Sequence, residues 1–185
     1  PRRIEILKRL GLNFKVVESA VEEDYPLNLP LEKVPEYLAE KKALTVFERL
    51  GKPKDTIVIG ADTIILKNKK LIGKPKDKEE AFKILRFLSG DMHYVITGLC
   101  VLTVEKKLVR SEKNKVYFRR LTEEEIRSYI EKEENILDKA GAYAIQSVGM
   151  LLVEKIEGDF YSVVGLPVSL LNDMLRDVGI NFLPK

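Results

Sequence analysis

The period at which apolar residues recur changes along this chain, and each change marks an element. Ile4-Glu5-Ile6-Leu7-Lys8-Arg9-Leu10 repeats at the helical period and stops at Gly11, which predicts a capped amphipathic helix with Pro1 in its first turn. Phe14 to Glu18 reads as a short strand, followed by an acidic loop through Glu22, Glu23, Asp24 and Pro26. A helix from about Pro35 to Arg49 is closed by Gly51. The β-branched run Thr56 to Leu66 predicts a buried strand, and Lys67-Asn68-Lys69-Lys70 turns it into Leu71-Ile72-Gly73. Asp77 caps a helix running to about Leu88, with Gly90 beyond its end. Tyr94 to Val104 and Leu108 to Arg119 form a long hairpin around Glu105-Lys106-Lys107. Thr122-Glu123-Glu124-Glu125 is a capping box for a helix to about Lys132. A loop from Asn135 to Ser147 leads to a strand from Met150 to Ile156, and a last helix begins near Pro167 and ends at Gly179. With no repeat and no long linker, the expectation is one α/β unit spanning residues 1–185.

Composition narrows the classes. Of 185 residues, 45% are hydrophobic and 33% charged, a globular balance, and no apolar run approaches a membrane span. A soluble, cytoplasmic chain with no membrane partner is expected. The 32 cations and 29 acids leave a net charge of +3, so nucleic acid is disfavoured as a partner while small phosphates stay open. Cys100 is the one thiol, which removes an intrachain disulfide and a cysteine zinc site; within Leu99-Cys100-Val101-Leu102 it reads as core. His93 is also alone, so a Ser/His/Asp or Cys/His triad would have to pass through a single imidazole. Carboxylates, cations and a hard metal remain.

Asp62 is the strongest candidate, because Gly60-Ala61-Asp62-Thr63 lies inside an apolar strand. A carboxylate there must be paired, metal-bound or facing a polar cleft, and Gly60 permits close approach to the backbone. The competing reading is an aspartate at a strand end bonded to local amides. Gly73-Lys74-Pro75 holds Lys74 on restricted backbone; alone, it reads as a solvated turn lysine or a phosphate contact. Lys42, in Leu38-Ala39-Glu40-Lys41-Lys42-Ala43, reads by itself as part of a solvated helix face. Arg2 and Arg3 sit at a helix entrance, where anions are favoured, or are simply exposed. Glu22-Glu23-Asp24 is a solvated acidic patch unless it faces Asp62, in which case hard oxygen ligands for Mg²⁺ converge. In Asp138 to Ser147, small residues, a charge pair and Gln146 suit readout of a base edge, or form a turn with a local salt bridge. His93 reads as an orienting or satisfied histidine more readily than as an acid or base. Gly158 to Pro167 mixes aromatics with glycines before a helix.

Taken together and in order, Pro1-Arg2-Arg3, Gly60-Ala61-Asp62-Thr63, Gly73-Lys74-Pro75, Ser89-Gly90 with His93 and Thr97-Gly98, Asp138 to Tyr143, Ile145-Gln146 and Val164-Gly165-Leu166-Pro167 resemble the Maf family. The resemblance covers essentially the whole chain. It implies an α/β fold like that of the inosine triphosphatases, with a mixed sheet, flanking helices and two lobes around a cleft. It also implies a metal-dependent nucleoside triphosphate pyrophosphatase that clears unwanted nucleotides. By resemblance, Asp62 is the proton acceptor and a metal ligand with Glu23. Arg3, Lys42 and Lys74 hold phosphates, while Arg2, Thr63 and Gln146 influence substrate choice. The cofactor implied is a divalent ion, Mg²⁺ ahead of Mn²⁺, and a homodimer is implied as well.

Ala142-Tyr143-Ala144-Ile145-Gln146 is similar to the branch acting on dTTP and UTP, and a glutamine amide can meet the donor and acceptor edge of a pyrimidine. The alternatives are the branch acting on 7-methyl-GTP and a non-catalytic nucleotide-binding regulator of septum formation. Ala144 and Ser147 stand where the family usually has glycine. The sequence opens on Pro1-Arg2-Arg3 without an initiator Met, so the expectation is a domain lacking its first strand and the serine before Pro-Arg-Arg.

Overall fold

The computed structural model describes residues 1–182. The first helix, α1 (Arg2–Arg9), ends where Gly11 takes a φ of +70°. Gly11 N–H then donates to Lys8 O at 3.0 Å and Leu12 N–H to Leu7 O at 3.3 Å, satisfying the last carbonyls. Pro1 lies just before the helix rather than inside its first turn, and its carbonyl accepts from Glu5 N–H at 3.0 Å.

The strand expected over Phe14 to Glu18 does not form: residues 12–26 carry neither helix nor strand. β-propensity reflects packing on a sheet, and this stretch has no such surface, with Val16 65% and Val17 40% exposed. It is tied instead to α2 (Val34–Arg49), through Arg49 to the Glu18 carbonyl and Lys41 Nζ to Glu22 O at 2.9 Å. Helix α2 ends in the same left-handed device, Gly51 at φ +76° with Lys52 N–H reaching Phe47 O at 3.1 Å.

Strands β1 (Val58–Lys67) and β2 (Lys70–Ile72) form a tight antiparallel hairpin, with Ile65 opposite Ile72 and Lys67 opposite Lys70. Asn68 and Lys69 both take positive φ, as a two-residue turn matched to the strand twist requires. Asp77 caps α3 (Lys78–Leu88), accepting from Glu80 N–H at 2.7 Å. The hairpin of β3 (Met92–Leu102) and β4 (Lys107–Phe118) follows as expected, and then α4 (Glu123–Lys132) behind its capping box. Strand β5 (Val153–Glu157) starts later than expected, because Val148–Leu151 closes into a 3-10 turn. A short helix, α5 (Phe160–Val164), occupies the aromatic stretch that the sequence left without an element. The chain's last described helix is α6 (Val168–Asp177).

The sheet has the order β2-β1-β3-β4-β5 and is antiparallel rather than mixed. Turns of two and four residues join β1 to β2 and β3 to β4, and connections that short cannot join parallel strands. Two compact units divide the chain. The first holds Pro1–Thr63, Thr97–Glu112 and the segment from Gly165 onward; the second holds Ile64–Ile96 and Lys113–Val164. In the first, Ala39, Ala43, Val46 and Phe47 of α2 pack on Val58, Cys100 and Leu102. In the second, α3 packs on α4, with Leu85 and Leu88 fully buried and Ile126 nearly so. No helix among the described residues is long and apolar enough to cross a membrane.

Candidate active site

Two glycines set how near α2 comes to the strands beneath it. A Cβ on Gly60 would stand 2.2 Å from Ala39 O and 2.9 Å from Ala43 Cβ; one on Gly98 would stand 2.2 Å from Pro35 O. Alternation along β1 puts Asp62 on the same face as Gly60, toward α2. Lys42 Nζ therefore reaches Asp62 and donates to its Oδ1 at 2.7 Å, and it also donates to Glu23 Oε1 at 2.7 Å. The Asp62 side chain is 9% exposed and that of Lys42 19%.

Asp62 is not a strand-end aspartate, since it lies in the middle of β1. Lys42 is not part of a solvated face, because its ammonium joins the acidic loop to the buried carboxylate. The neighbouring Lys41 secures the same loop by pairing with Asp24, and that ion pair holds the Asp24 carboxyl below its usual range.

Thr63 points to the opposite face of β1. Its hydroxyl lies 2.9 Å from Thr97 Oγ1, and Arg3 Nη2 donates to it at 3.1 Å. Arg3 Nε donates to Gly165 O at 2.7 Å, so both donors are fixed by groups 60 and 162 residues away. Gly165 sits at φ +122°, a conformation few other residues adopt. Burial lowers the Arg3 pKa, Asp62 acts against that, Arg2 adds to it and Glu23 opposes it. Arg3 is thus no exposed terminal arginine, and Arg2 adds a second positive charge beside it.

The first unit brings together Arg3, Glu23, Lys42, Asp62 and Thr63. Lys74 and Gln146 belong to the second unit, where both side chains are exposed. The local salt bridge considered for Asp138 and Lys139 has a different acid: Lys139 pairs with Glu133 Oε1 at 3.1 Å. Cys100 is fully buried and its thiol is pushed up to about 12, so it is a core residue. His93 is fully buried inside β3, with Nε2 2.8 Å from Tyr143 Oη and Nδ1 without a partner. The carbonyl of Gly165 and the hydroxyl of Thr97 complete the Arg3–Thr63 pair and are not among the partners expected from the sequence. Thr97-Gly98, which repeats the pairing of a polar residue with a glycine seen at Gly60 to Thr63, was the signal available.

A buried acid neutralised by an ammonium, beside an anchored guanidinium on the reverse of the same strand, defines an α/β protein equipped to meet an anion and move a proton. The chain belongs to the Maf family: the family described as Maf-like protein matches residues 1–178. The dTTP/UTP pyrophosphatase of Caldicellulosiruptor saccharolyticus is 47% identical over 186 residues, covering 99% of this chain and 93% of that protein. The dTTP/UTP pyrophosphatase of Thermoanaerobacter pseudethanolicus is 49% identical over 178 residues, covering 95% and 91%. That of Aquifex aeolicus is 43% identical over 180 residues, covering 97% and 92%.

Proposed function

We propose that this protein hydrolyses dTTP and UTP to the nucleoside monophosphate and pyrophosphate. The observation that carries the reading is Asp62, a buried carboxylate kept beside an ammonium in a chain whose near-full-length relatives bear the name dTTP/UTP pyrophosphatase. Water attacks the α-phosphorus, the bond from that phosphorus to the oxygen bridging the β-phosphorus breaks, and pyrophosphate leaves. Asp62 takes the proton of the attacking water, with Lys42 holding the carboxylate in place. Lys42, on the Asp62 face of β1, meets the phosphates, and its fixed charge stabilises the negative charge that spreads over the oxygens during displacement; Arg3, which interacts electrostatically with Asp62, is assigned to the phosphates on the family resemblance. Lys74 is assigned to the phosphates, and Arg2, Thr63 and Gln146 to substrate choice, on the family resemblance.

Glu23 and Asp62 converge on one cation, now the Lys42 ammonium. Among the described residues no three His, Cys, Asp or Glu side chains gather as a metal site. Two carboxylates completed by substrate oxygens and water suit Mg²⁺, which keeps several waters and is usually bound with the phosphates it serves; Mn²⁺ is a second candidate. Glu23 and Asp62 would hold the ion, which would supply charge neutralisation at the phosphoryl oxygens.

The same reading includes an inosine-triphosphatase-like fold across one Maf-like domain, a cytoplasmic location and a homodimer. Light scattering tests the dimer. The activity is tested by pyrophosphate release from dTTP, UTP and 7-methyl-GTP with Mg²⁺, for the native protein and Asp62→Asn. Preference for 7-methyl-GTP, or tight binding without turnover, would overturn the proposal.

A further inference from the structure

Within the second unit, the loop from Asp138 to Ser147 is built more firmly than a surface connection requires. Gly141 to Ile145 are buried, and Gln146, which follows them, is exposed. Both ends of this stretch meet one carboxylate just beyond α4. Lys139 Nζ lies 3.1 Å from Glu133 Oε1, and Ser147 donates its hydroxyl to Glu133 Oε2 at 2.7 Å. The Glu133 side chain is 4% exposed and that of Lys139 10%. Between the ends, Gly141 N–H donates to the carbonyl of Gly73, the residue before Lys74, at 3.0 Å. Tyr143 Oη shares a hydrogen bond with His93 Nε2.

A buried ion pair contributes little net stability compared with apolar packing, and its best-attested use is to fix one arrangement among several. Here one carboxylate uses each oxygen for a different end of the same loop. We propose that Glu133 is a positioning residue: by joining Lys139 to Ser147 it fixes the loop that presents Gln146, and so sets the preference for uracil and thymine bases. This rests on the reading of Gln146 as the residue that meets the base. Ser147 supplies the hydroxyl that completes the clamp.

The test compares Glu133→Gln, Ser147→Ala and the hydroxyl-retaining Ser147→Thr with the native protein. Amide hydrogen exchange over residues 140–146 reads the loop; kcat and KM for dTTP, UTP and CTP read its consequence. Loss of the clamp is expected to speed exchange about tenfold in Ser147→Ala. The KM for dTTP and UTP should rise about fivefold, with preference over CTP falling by a similar factor and kcat changing by less than about twofold. Ser147→Thr should restore both readouts. Native exchange in folded Ser147→Ala and Glu133→Gln overturns the clamp. Faster exchange with unchanged KM and preference overturns the positioning role. If the native protein turns over neither dTTP nor UTP, the proposed function fails, while the exchange measurement still decides whether Glu133 clamps the loop.

Discussion

Lys42 Nζ donates to Asp62 Oδ1 at 2.7 Å across the contact between α2 and β1, and its second bond, to Glu23 Oε1, draws in a loop that carries no regular structure. Each charge offsets the cost of burying the other. Removing either partner should have distinct effects. Asp62→Asn is expected to lower kcat by about 10²–10⁴-fold while leaving the fold intact, the usual range for loss of a general base. Lys42→Met leaves a buried carboxylate without its counterion. It should lower stability by about 3 kcal/mol, a fall in melting temperature of roughly 6–12 °C. Pyrophosphate release and thermal denaturation measure the two outcomes.

Gly60 is expected to tolerate no side chain. Alanine there would place Cβ 2.2 Å from Ala39 O, so α2 must lift from β1. Gly60→Ala should cost about 1–3 kcal/mol in a denaturant titration. It should also lower kcat/KM, because Lys42 moves away from Asp62.

Arg3 uses two points of its fork, on Gly165 O and on Thr63 Oγ1. Lysine keeps the charge and loses the fork. Arg3→Lys is expected to reduce kcat/KM for dTTP by about tenfold or more, measured at saturating Mg²⁺. Native kinetics in this variant would remove the requirement for a guanidinium.

Gln146 is the exposed residue at the end of a buried run, and its amide is assigned to the base. Gln146→Ala should raise the KM for dTTP and UTP by about tenfold and narrow their advantage over CTP, with little change in stability. A substrate panel and a melting curve check both parts.

His93 gives the protein an acid sensitivity. Burial lowers its pKa to about 3, whereas an unfolded chain protonates histidine near about 6.5. Below that unfolded value the unfolded state binds a proton that the folded state does not. Stability is therefore complete above about pH 6.5 and falls progressively toward pH 3. At about pH 5 the loss from this group is about 2 kcal/mol. Melting temperatures measured at about pH 7 and pH 5 should differ by less in His93→Gln than in the native protein.

Elements whose signals are local were legible in the sequence. The glycine stop after α2, the Asp77 cap, the Thr122–Glu125 capping box and the β1–β2 turn all arise from groups within a few residues, and each stands where the pattern put it. Phe14 to Glu18 shows the opposite case: a β-prone stretch takes strand form only if some surface pairs with it, and composition carries no information about that surface. Helix α5 was hidden because its five residues lie among glycines and aromatics, too short a stretch for periodicity to register.

The site divides along the same line. An aspartate inside an apolar strand is an electrostatic demand that the sequence states by itself, since a buried charge needs a partner wherever the chain folds. It also marked Gly60 as a place of close approach. Only tertiary structure decided what approaches, namely α2. The amphipathic pattern around Lys42 is the same whether that lysine faces water or Asp62, and what separates the two is the distance between helix and strand. That distance is fixed by the missing Cβ atoms of Gly60 and Gly98, which meet α2 only once residues far apart in the chain are folded together.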